Sequence, residues 1–317
     1  MTTPGAFETR LKAQALGLGF DLVGITRLGP AETSVVFERW LEQGHHGSMD
    51  YLRRGAELRQ DTTRPEPGMC SAVVVGLDYG GRSPAGPIAR YARGADYHRV
   101  MWDQLEALLD WVRTERGAEV RGRAYVDTGP ILERDLARRA GLGWFGKNAM
   151  LINPKKGSYF FIGSLFLDLT LAPDAPFTSD HCGSCTRCLT SCPTEAFPAP
   201  GVLDARRCIA YLTIEHRGPI PDEFHQAIGA HLFGCDVCQE VCPWNVRFAS
   251  APPTDGPLAP RAALATTDAG ALARELLTLD ATTYRERFRD SAMSRAKIDG
   301  LRRNAEIVLR NLDAPTP

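Results

Sequence analysis

Cysteine is concentrated in one stretch of this 317-residue chain, and that stretch constrains the fold more than any other feature. Eight of the nine cysteines lie between residues 182 and 242. The first four form the run Cys182-x2-Cys185-x2-Cys188-x3-Cys192, and a proline follows directly. Thiols at this spacing bind soft metals or iron–sulfur clusters. The sequence therefore predicts a cysteine-ligated module around which the rest of the chain is organised.

A second cysteine run lies about fifty residues further along the chain. It reads Cys235-x2-Cys238-x3-Cys242 and is again followed by proline, but leucine stands at position 232, where the run would begin. Cys208 lies between the two runs and is the obvious substitute for the missing cysteine. The spacing C-x2-C-x2-C-x3-C-P is that of two-cluster bacterial ferredoxins, in which the fourth thiolate ligates the other cluster.

Counting ligands on this pattern gives two complete sets of four, which predicts two [4Fe–4S] clusters. The first cluster is predicted to use Cys182, Cys185, Cys188 and Cys242, and the second Cys192, Cys208, Cys235 and Cys238. Zinc is the alternative metal, since thiolates suit it as well. Zinc sites usually offer separated C-x2-C pairs with histidine among the ligands, and they lack two C-x3-C-P endings. The spacing therefore favours clusters over zinc, and over disulfides.

The bulk properties of the chain limit its partners and its location. Its length predicts two or three domains. A net charge of −1 argues against a protein that is basic throughout, so any nucleic-acid site has to be a local patch. The N-terminus shows no export signal, and no apolar run reaches the roughly 18–20 residues that span a bilayer. With oxygen-sensitive clusters, this predicts a cytoplasmic protein without membrane contact.

Upstream of the cysteines, strands and helices alternate. The patterns predict helices over 6–18, 31–43, 99–116 and 130–140, and strands over 20–25, 71–77, 120–126, 151–152 and 159–167. This alternation indicates one α/β domain.

Three domains follow from these patterns. They are predicted over residues 1–175 (α/β), 176–248 (ferredoxin-like, two clusters) and 249–317 (a proline-rich linker and a short helical C-terminal segment), which places the chain in a mixed α+β or α/β class. Residues 285–310 carry eight Arg/Lys against four Asp/Glu. Such a bias is typical of a solvated helix face, and the alternative is a surface that meets phosphate.

Three residues outside the module have competing interpretations. Cys70 precedes a buried strand and is interpreted as a small buried hydrophobe. His98 belongs to an Asp-x-His start of the D-x-H-x-x-G pattern, whose histidine ligates cobalamin from below, but Met101 occupies the glycine position. We therefore interpret His98 as a helix N-terminal or scaffold residue. Asp127 and Thr128 precede Pro130, and either is expected to cap the helix that starts there.

Taken together, the motifs resemble those of the epoxyqueuosine reductase family, the cobalamin-dependent iron–sulfur enzymes that complete queuosine in tRNA. The resemblance covers nearly the whole chain. It rests on the cysteine runs and on Tyr125–Pro130 (YVDTGP) continuing to Leu132–Arg134 (LER), Gly141–Asn148 (GLGWFGKN), Gly157–Phe160 (GSYF) and Cys208–Thr213 (CIAYLT). Family members often carry further helical repeats, of which only residues 301–312 resemble a beginning here.

The resemblance implies a cobalamin bound base-off, without a protein histidine below the cobalt, in the N-terminal domain. The family's proposed proton donor falls on Asp127, so we expect this carboxyl to be protonated and its pKa to be raised by burial. The corrin contacts would be Arg59, Ala89, Arg90, Asp127, Lys147, Asn148, Leu151, Ile162, Ala210, Asp236 and Val237.

The implied activity is that of an oxidoreductase acting on a CH or CH2 group. It would remove the epoxide oxygen of epoxyqueuosine at the tRNA wobble position, using electrons from an external donor that pass through the clusters to cob(I)alamin. The partner would be a tRNA anticodon stem-loop, bound by a monomer. Candidate phosphate contacts are Arg217, Arg285, Arg287, Arg302 and Arg303.

Two alternatives remain open from the residues. A reductive dehalogenase combines the same cofactors, but such enzymes usually carry a twin-arginine signal and use a tyrosine acid. A non-catalytic ferredoxin-like electron carrier would need neither cobalamin nor an acid at residue 127.

Overall fold

A four-stranded antiparallel sheet forms the centre of the N-terminal half. A computed structural model describes residues 5–314, and its sheet has the strand order β1-β2-β6-β3. The strands are β1 (Leu22–Arg27), β2 (Ser71–Asp78), β3 (Gly122–Val126), β4 (Trp144–Phe145), β5 (Leu151–Ile152) and β6 (Phe160–Leu167). Strands β4 and β5 pair separately as a small antiparallel hairpin.

The central strand β2 is buried along almost its whole length because it is a continuous β-branched and apolar run. It pairs with β1 on one side and β6 on the other, with Val74 opposite Ser164. One face of the sheet packs against a long helix whose Met101, Leu105 and Leu108 are fully buried at helical spacing. The core thus forms where the strands of the sheet pack against one helix whose apolar residues recur at helical spacing.

The helices are short apart from two. They are α1 (Ala6–Gly17), α2 (Ser34–Glu42), α3 (Asp50–Arg54), α4 (Ala56–Gln60), α5 (Tyr97–Arg116), α6 (Glu133–Arg139), α7 (Arg187–Thr190), α8 (Ile209–Ile214), α9 (His225–Ile228), α10 (Val237–Glu240), α11 (Pro243–Phe248), α12 (Ala269–Thr278), α13 (Ala281–Phe288) and α14 (Lys297–Asp313). Within the described residues, none is long and apolar enough to cross a membrane.

The C-terminal helices have their own apolar core and are tied to the cysteine-rich segment through one asparagine. Asn304 on α14 is fully buried, and its Nδ2 donates to the carbonyl oxygens of Thr213 (2.8 Å) and Leu232 (2.9 Å). Thr213 lies five residues after Cys208, and Leu232 lies three residues before Cys235. The C-terminal helices therefore support the cysteine-rich segment through these hydrogen bonds.

Three sequence expectations are corrected by the structure. Every strand pair of the main sheet is antiparallel, so the α+β description fits this half of the chain better than a parallel α/β one. Cys70 is exposed, because it stands just before β2 begins to be covered. The helix expected from residue 130 begins at Glu133, and no side chain caps it, so Asp127 is not its cap.

Candidate active site

Four cysteines of the first predicted set line one cavity of about 140 Å³. They are Cys182, Cys185, Cys188 and Cys242, joined by Lys147, Asn148, Ile152, His181, Pro243 and Trp244. Cys242 comes from the second run, so the crossing of the fourth thiol that the spacing predicts is present in the geometry. The cavity and its soft thiol ligands fit an iron–sulfur cluster.

The walls of this cavity are held by the β4–β5 hairpin. Trp144 packs edge-on against Trp244, with ring centroids 5.0 Å apart. The ammonium group of Lys147 donates to the carbonyl oxygens of Gly183 (2.6 Å) and Cys185 (3.0 Å). These contacts fix the first cysteine loop against the sheet-bearing half of the chain. Lys147, predicted as a corrin contact, is therefore engaged by the cluster loop.

The second predicted set also converges. Burial, with a smaller contribution from the neighbouring thiolates of Cys208 and Cys192, raises the pKa of Cys235 to about 12. Cys208 and Cys235 are likewise neighbours of Cys238, whose pKa burial raises strongly, and Cys188 of the first set is close enough to contribute. The two sets are thus adjacent. Within residues 5–314 no His, Cys, Asp or Glu group has the arrangement of a single-ion metal site.

The second cysteine loop is docked on the sheet through buried polar contacts. Arg90 donates to Asp236 from its backbone N–H (2.8 Å) and from its guanidinium (3.0 Å), and also to Glu240 (2.5 Å). The side-chain amide of Asn148 donates to the Cys238 carbonyl at 3.3 Å. Predicted corrin contacts from both halves of the chain therefore meet at this junction.

The remaining predicted corrin contacts are divided between the junction and the sheet. Ala89 is buried, and its N–H donates to the carbonyl of Phe233 at 2.8 Å. Ala210 and Val237 are half-buried near this junction. Leu151 and Ile162 belong to the apolar cluster on the second sheet face, and buried Arg59 reaches the carbonyl of Gly129 at 3.5 Å. Whether each contacts a corrin stays a prediction.

Asp127 follows the last residue of β3, and the surface formed by Asp127, His98 and Glu133 is here called the Asp127 recess. Its backbone has a φ of +59°, a conformation that non-glycine residues rarely adopt. Its N–H donates to Oε1 of Glu133 at 2.5 Å, which holds the turn. The side chain is 60% exposed, yet burial is the largest influence on its pKa. The carboxylate is therefore surrounded by protein but open to a ligand.

A histidine bridges two aspartates at this recess. Nδ1 of His98 lies 2.6 Å from Oδ1 of Asp96, and Nε2 lies 3.3 Å from Oδ2 of Asp127. Although burial opposes it, hydrogen bonds to Asp127 and Asp96 raise the pKa of His98 to about 9. Burial would raise the pKa of Asp127, but the hydrogen bond and charge of His98 hold it below its ordinary value. The expectation of a raised Asp127 pKa is therefore wrong.

Glu133 is the carboxyl whose pKa is raised. Burial and the charge of Asp127 raise it to about 8, so Glu133 is protonated at neutral pH. Sequence reasoning missed this role, although Glu133 stands in the stretch that carries the family resemblance. His98 does lie in the first turn of α5, as predicted, and Asp96 accepts its backbone N–H; the contact of its ring with Asp127 was not predicted.

Aromatic side chains line the recess. The ring of Tyr91 packs against Tyr97 (centroids 6.3 Å apart) on one side and against Phe233 (6.2 Å), two residues before Cys235, on another. Tyr97 stacks on His98 with centroids 4.2 Å apart. The guanidinium of Arg295 lies over the ring of Tyr51, 5.6 Å from its centroid. Aromatic walls around a few polar groups suit a large flat ligand.

The five arginines predicted as phosphate contacts all make contacts within the chain. Arg303 donates to the carbonyls of Leu212, His216 and Gly218, and Arg217 donates to those of Ile214, Arg295 and Ala296. Arg287 pairs with Glu275, Arg302 donates to the Leu279 carbonyl, and Arg285 donates to its own helix at Ala281. Their guanidinium groups are thus engaged in contacts within the chain.

A second, more open cleft of about 700 Å³ lies on the other side of α3. Its lining includes His46, Arg53, Arg206, Tyr211 and His216. The cleft thus combines an aromatic ring with arginine side chains, of which Arg206 is paired with Asp204.

Two family models match the chain. One, described as "Epoxyqueuosine reductase QueG", covers residues 59–128, and the other, a 4Fe-4S double cluster binding domain, covers residues 181–245.

Curated relatives match over nearly the whole length. A protein named epoxyqueuosine reductase from Pseudomonas aeruginosa is 40% identical over 99% of this chain and 88% of its own. One from Leadbetterella byssophila is 40% identical over 95% of this chain and 98% of its own.

Solved structures agree with these relatives. An epoxyqueuosine reductase crystallised with an epoxyqueuosine-modified tRNA-Tyr stem loop superposes with a TM-score of 0.86 at 31% identity, over 96% of this chain and 81% of that one. The structure from Streptococcus thermophilus superposes with a TM-score of 0.84 at 27% identity, over 97% and 82%.

Proposed function

This chain belongs to the epoxyqueuosine reductase family, and we propose that it reduces epoxyqueuosine at the wobble position of a tRNA to queuosine and water. The observation that carries the proposal is the packing of Tyr91. Its ring contacts Tyr97, which stacks on His98 beside Asp127, and it also contacts Phe233, two residues before Cys235. An acid and an electron-carrying module thus face one site, as a reductive removal of oxygen requires.

The chain's residues would hold two kinds of cofactor. The eight thiols would bind two [4Fe–4S] clusters, with the second set nearer the recess. The corrin of a base-off cobalamin would lie in the recess against the predicted contacts around Arg90, Asn148 and Asp236. When bound, cobalamin supplies the strongly reducing nucleophile for the epoxide carbon. We also propose that the chain divides into three domains, with boundaries between residues 175 and 176 and between residues 248 and 249.

Asp127 would act as the general acid. Its carboxyl is exposed to the recess, and its backbone is fixed in a positive-φ turn by the hydrogen bond to Glu133. A relative from Bacillus subtilis has been solved with its catalytic aspartate loop swung out of the active site, which supports an aspartate on a turn as the acid. Protonation of the departing oxygen by a positioned acid is worth roughly 10²–10⁴ in rate.

The macromolecular partner would be the anticodon stem-loop of a tRNA. The cleft lined by Arg53, Arg206 and Tyr211 offers charge and a stacking surface for unpaired nucleotides next to α3, whose Tyr51 reaches the recess. We further propose that the protein acts in the cytoplasm as a monomer and takes electrons from an external donor.

The test is a single-turnover reaction of the cluster-loaded, cobalamin-loaded chain with an epoxyqueuosine-containing stem-loop and a strong reductant without oxygen. Native protein is expected to form queuosine, and Asp127→Asn is expected to lose about 10²-fold or more in rate while keeping its iron and corrin. Asp110→Asn is the matched control, because Asp110 is exposed on α5. Absence of queuosine from fully loaded native protein would overturn the proposal.

A further inference from the structure

The proton balance of the reaction raises the question of where Asp127 obtains its proton. Removing an epoxide oxygen as water consumes two electrons and two protons, and the acid has to carry a proton when the C–O bond breaks. The hydrogen bond from His98 keeps the pKa of Asp127 below its ordinary value, so at neutral pH the resting carboxyl is ionised. A neighbouring group therefore has to hold the proton.

We propose that His98, held in place by Asp96, is the positioning residue that stores this proton and passes it to Asp127. This inference rests on the proposed function. The route is a single hydrogen bond, since Nε2 of His98 lies 3.3 Å from Oδ2 of Asp127. The other ring nitrogen is anchored by Asp96 at 2.6 Å, and the backbone N–H of His98 donates to the same Asp96 carboxylate at 3.1 Å.

The ionisation of the neighbours is consistent with this store. With a pKa of about 9, His98 is an imidazolium at neutral pH. Glu133 is neutral there, and the buried phenols of Tyr91 and Tyr97 are neutral as well, because burial raises their pKa values. Arg134 is the remaining cation that acts on Asp127. Glu133 also carries a proton, but its hydrogen bond with Asp127 involves the backbone N–H and not the carboxylate. The proton of His98 lies on a hydrogen bond to the Asp127 carboxylate itself.

Covering the recess would move the proton. A bound substrate displaces the water that stabilises the exposed Asp127 carboxylate, and a low-dielectric environment disfavours an ion pair relative to its neutral form. The proton then passes from Nε2 to Oδ2, which leaves neutral imidazole and a carboxylic acid.

The remaining steps balance the reaction. The acid gives its proton to the epoxide oxygen as the C–O bond breaks, and the external donor supplies the two electrons through the clusters. The side chain of His98 is 22% exposed and can be reprotonated from solvent for the second proton.

The pH dependence of the single-turnover rate tests the proposal. Native protein is expected to lose rate above about pH 9, where His98 deprotonates. His98→Gln keeps a hydrogen-bond donor but stores no proton. Its rate at pH 8 should fall about 10²-fold and then recover on acidification, by up to about tenfold per pH unit. The matched control is His225→Gln, since His225 also lies beside an aspartate but on α9.

A loss of the same size at every pH, or no loss, would show a merely structural histidine and overturn the proposal. Asp96→Asn should move the alkaline fall of the rate to lower pH by about one unit or more, because it removes an anion that favours the imidazolium.

A second readout needs no substrate. In the cluster-loaded full chain labelled with ¹⁵N-histidine, the resonance that disappears in His98→Gln should titrate near pH 9, and at lower pH in Asp96→Asn. Titration near the ordinary value of about 6.5 would overturn the proton store even in an active enzyme. Failure of the native chain to form queuosine would instead overturn the proposed function, while the titration still decides the proton store.

Discussion

Nη1 of Arg90 lies 3.0 Å from Oδ2 of Asp236, and each of the two side chains is only 6% exposed. Arg90 follows the sheet strand β2, whereas Asp236 stands between Cys235 and Cys238 of the second cysteine loop. Burial raises the pKa of Asp236, and only the hydrogen bonds and charge of Arg90 oppose this shift. One buried ion pair thus fixes the second cysteine loop on the sheet.

Removing Arg90 should therefore be costly. Arg90→Met leaves an unpaired buried carboxylate, and breaking such a pair typically destabilises a protein by about 3–5 kcal/mol. The expected result is a lower midpoint of anaerobic urea unfolding. Arg113→Met is the control, since its pair with Asp110 is exposed and is worth about 0–1 kcal/mol. Equal shifts for the two variants would contradict a structural role for the buried pair.

The assignment of Cys208 to the second cluster predicts a selective loss of iron. Cys208→Ser removes one of four thiols, so the iron content should fall from roughly eight to roughly four per chain. Cys70→Ser is the control, because Cys70 is exposed and lies outside both sets. Iron analysis and the visible absorption of the purified chains give the answer. A full iron content in Cys208→Ser would show that another residue is the fourth ligand of the second cluster.

The grouping of thiols was predictable because cluster ligation constrains sequence spacing directly. The C-x3-C-P endings imply a fourth thiol that crosses to the other set, and Cys242 does line the cavity of Cys182, Cys185 and Cys188. The buried strand β2 was equally readable, since continuous β-branched residues have few other structures available. Local patterns sufficed in both cases.

Properties that depend on distant neighbours were not predictable in this way. Strand direction in the sheet follows from chain connections that periodicity does not encode. The pKa of Asp127 was expected to rise because burial was considered alone, but His98, 29 residues earlier, supplies an opposing charge. Likewise, Cys70 is exposed although both of its neighbours, Met69 and Ser71, are buried.

Glu133 predicts a pH-dependent stability of its own. Its pKa in the folded chain is raised to about 8 from 4.5, so the fold favours the protonated form. The stability that this proton contributes is complete below about pH 4.5 and is lost as the pH rises towards 8. Glu133→Gln should abolish this part of the loss, because the amide cannot ionise and still accepts the Asp127 N–H.

The comparison uses thermal midpoints of native protein and Glu133→Gln at several pH values between 5 and 8.5, a range set by the ordinary and raised pKa values. The two curves should converge at the acid end and separate at the alkaline end, with the variant more stable. Parallel curves would show that Glu133 ionises normally.

Glu133→Ala removes the acceptor and should slow turnover, since Asp127 then loses the partner of its positive-φ turn.

Gly157 links the sheet to the cysteine module and predicts a site-specific intolerance of a methyl group. It has a φ of +72°, and a Cβ there would overlap Oδ1 of Asn245, which accepts the N–H of Ser158 at 2.6 Å. Gly201 has a φ of +78° but no atom within 4 Å of its Cβ position. Both alanine variants bear the backbone strain of about 1–2 kcal/mol, and Gly157→Ala adds about 1–3 kcal/mol of overpacking.

Helix α11 begins directly after Cys242 and carries Asn245. The overpacking in Gly157→Ala should therefore lower the iron content as well as the unfolding midpoint. Gly201→Ala should lower the midpoint slightly and keep its iron. Matching iron contents and midpoints in the two variants would show that the chain relaxes around Gly157, and that this turn does not position the first cluster's fourth thiol.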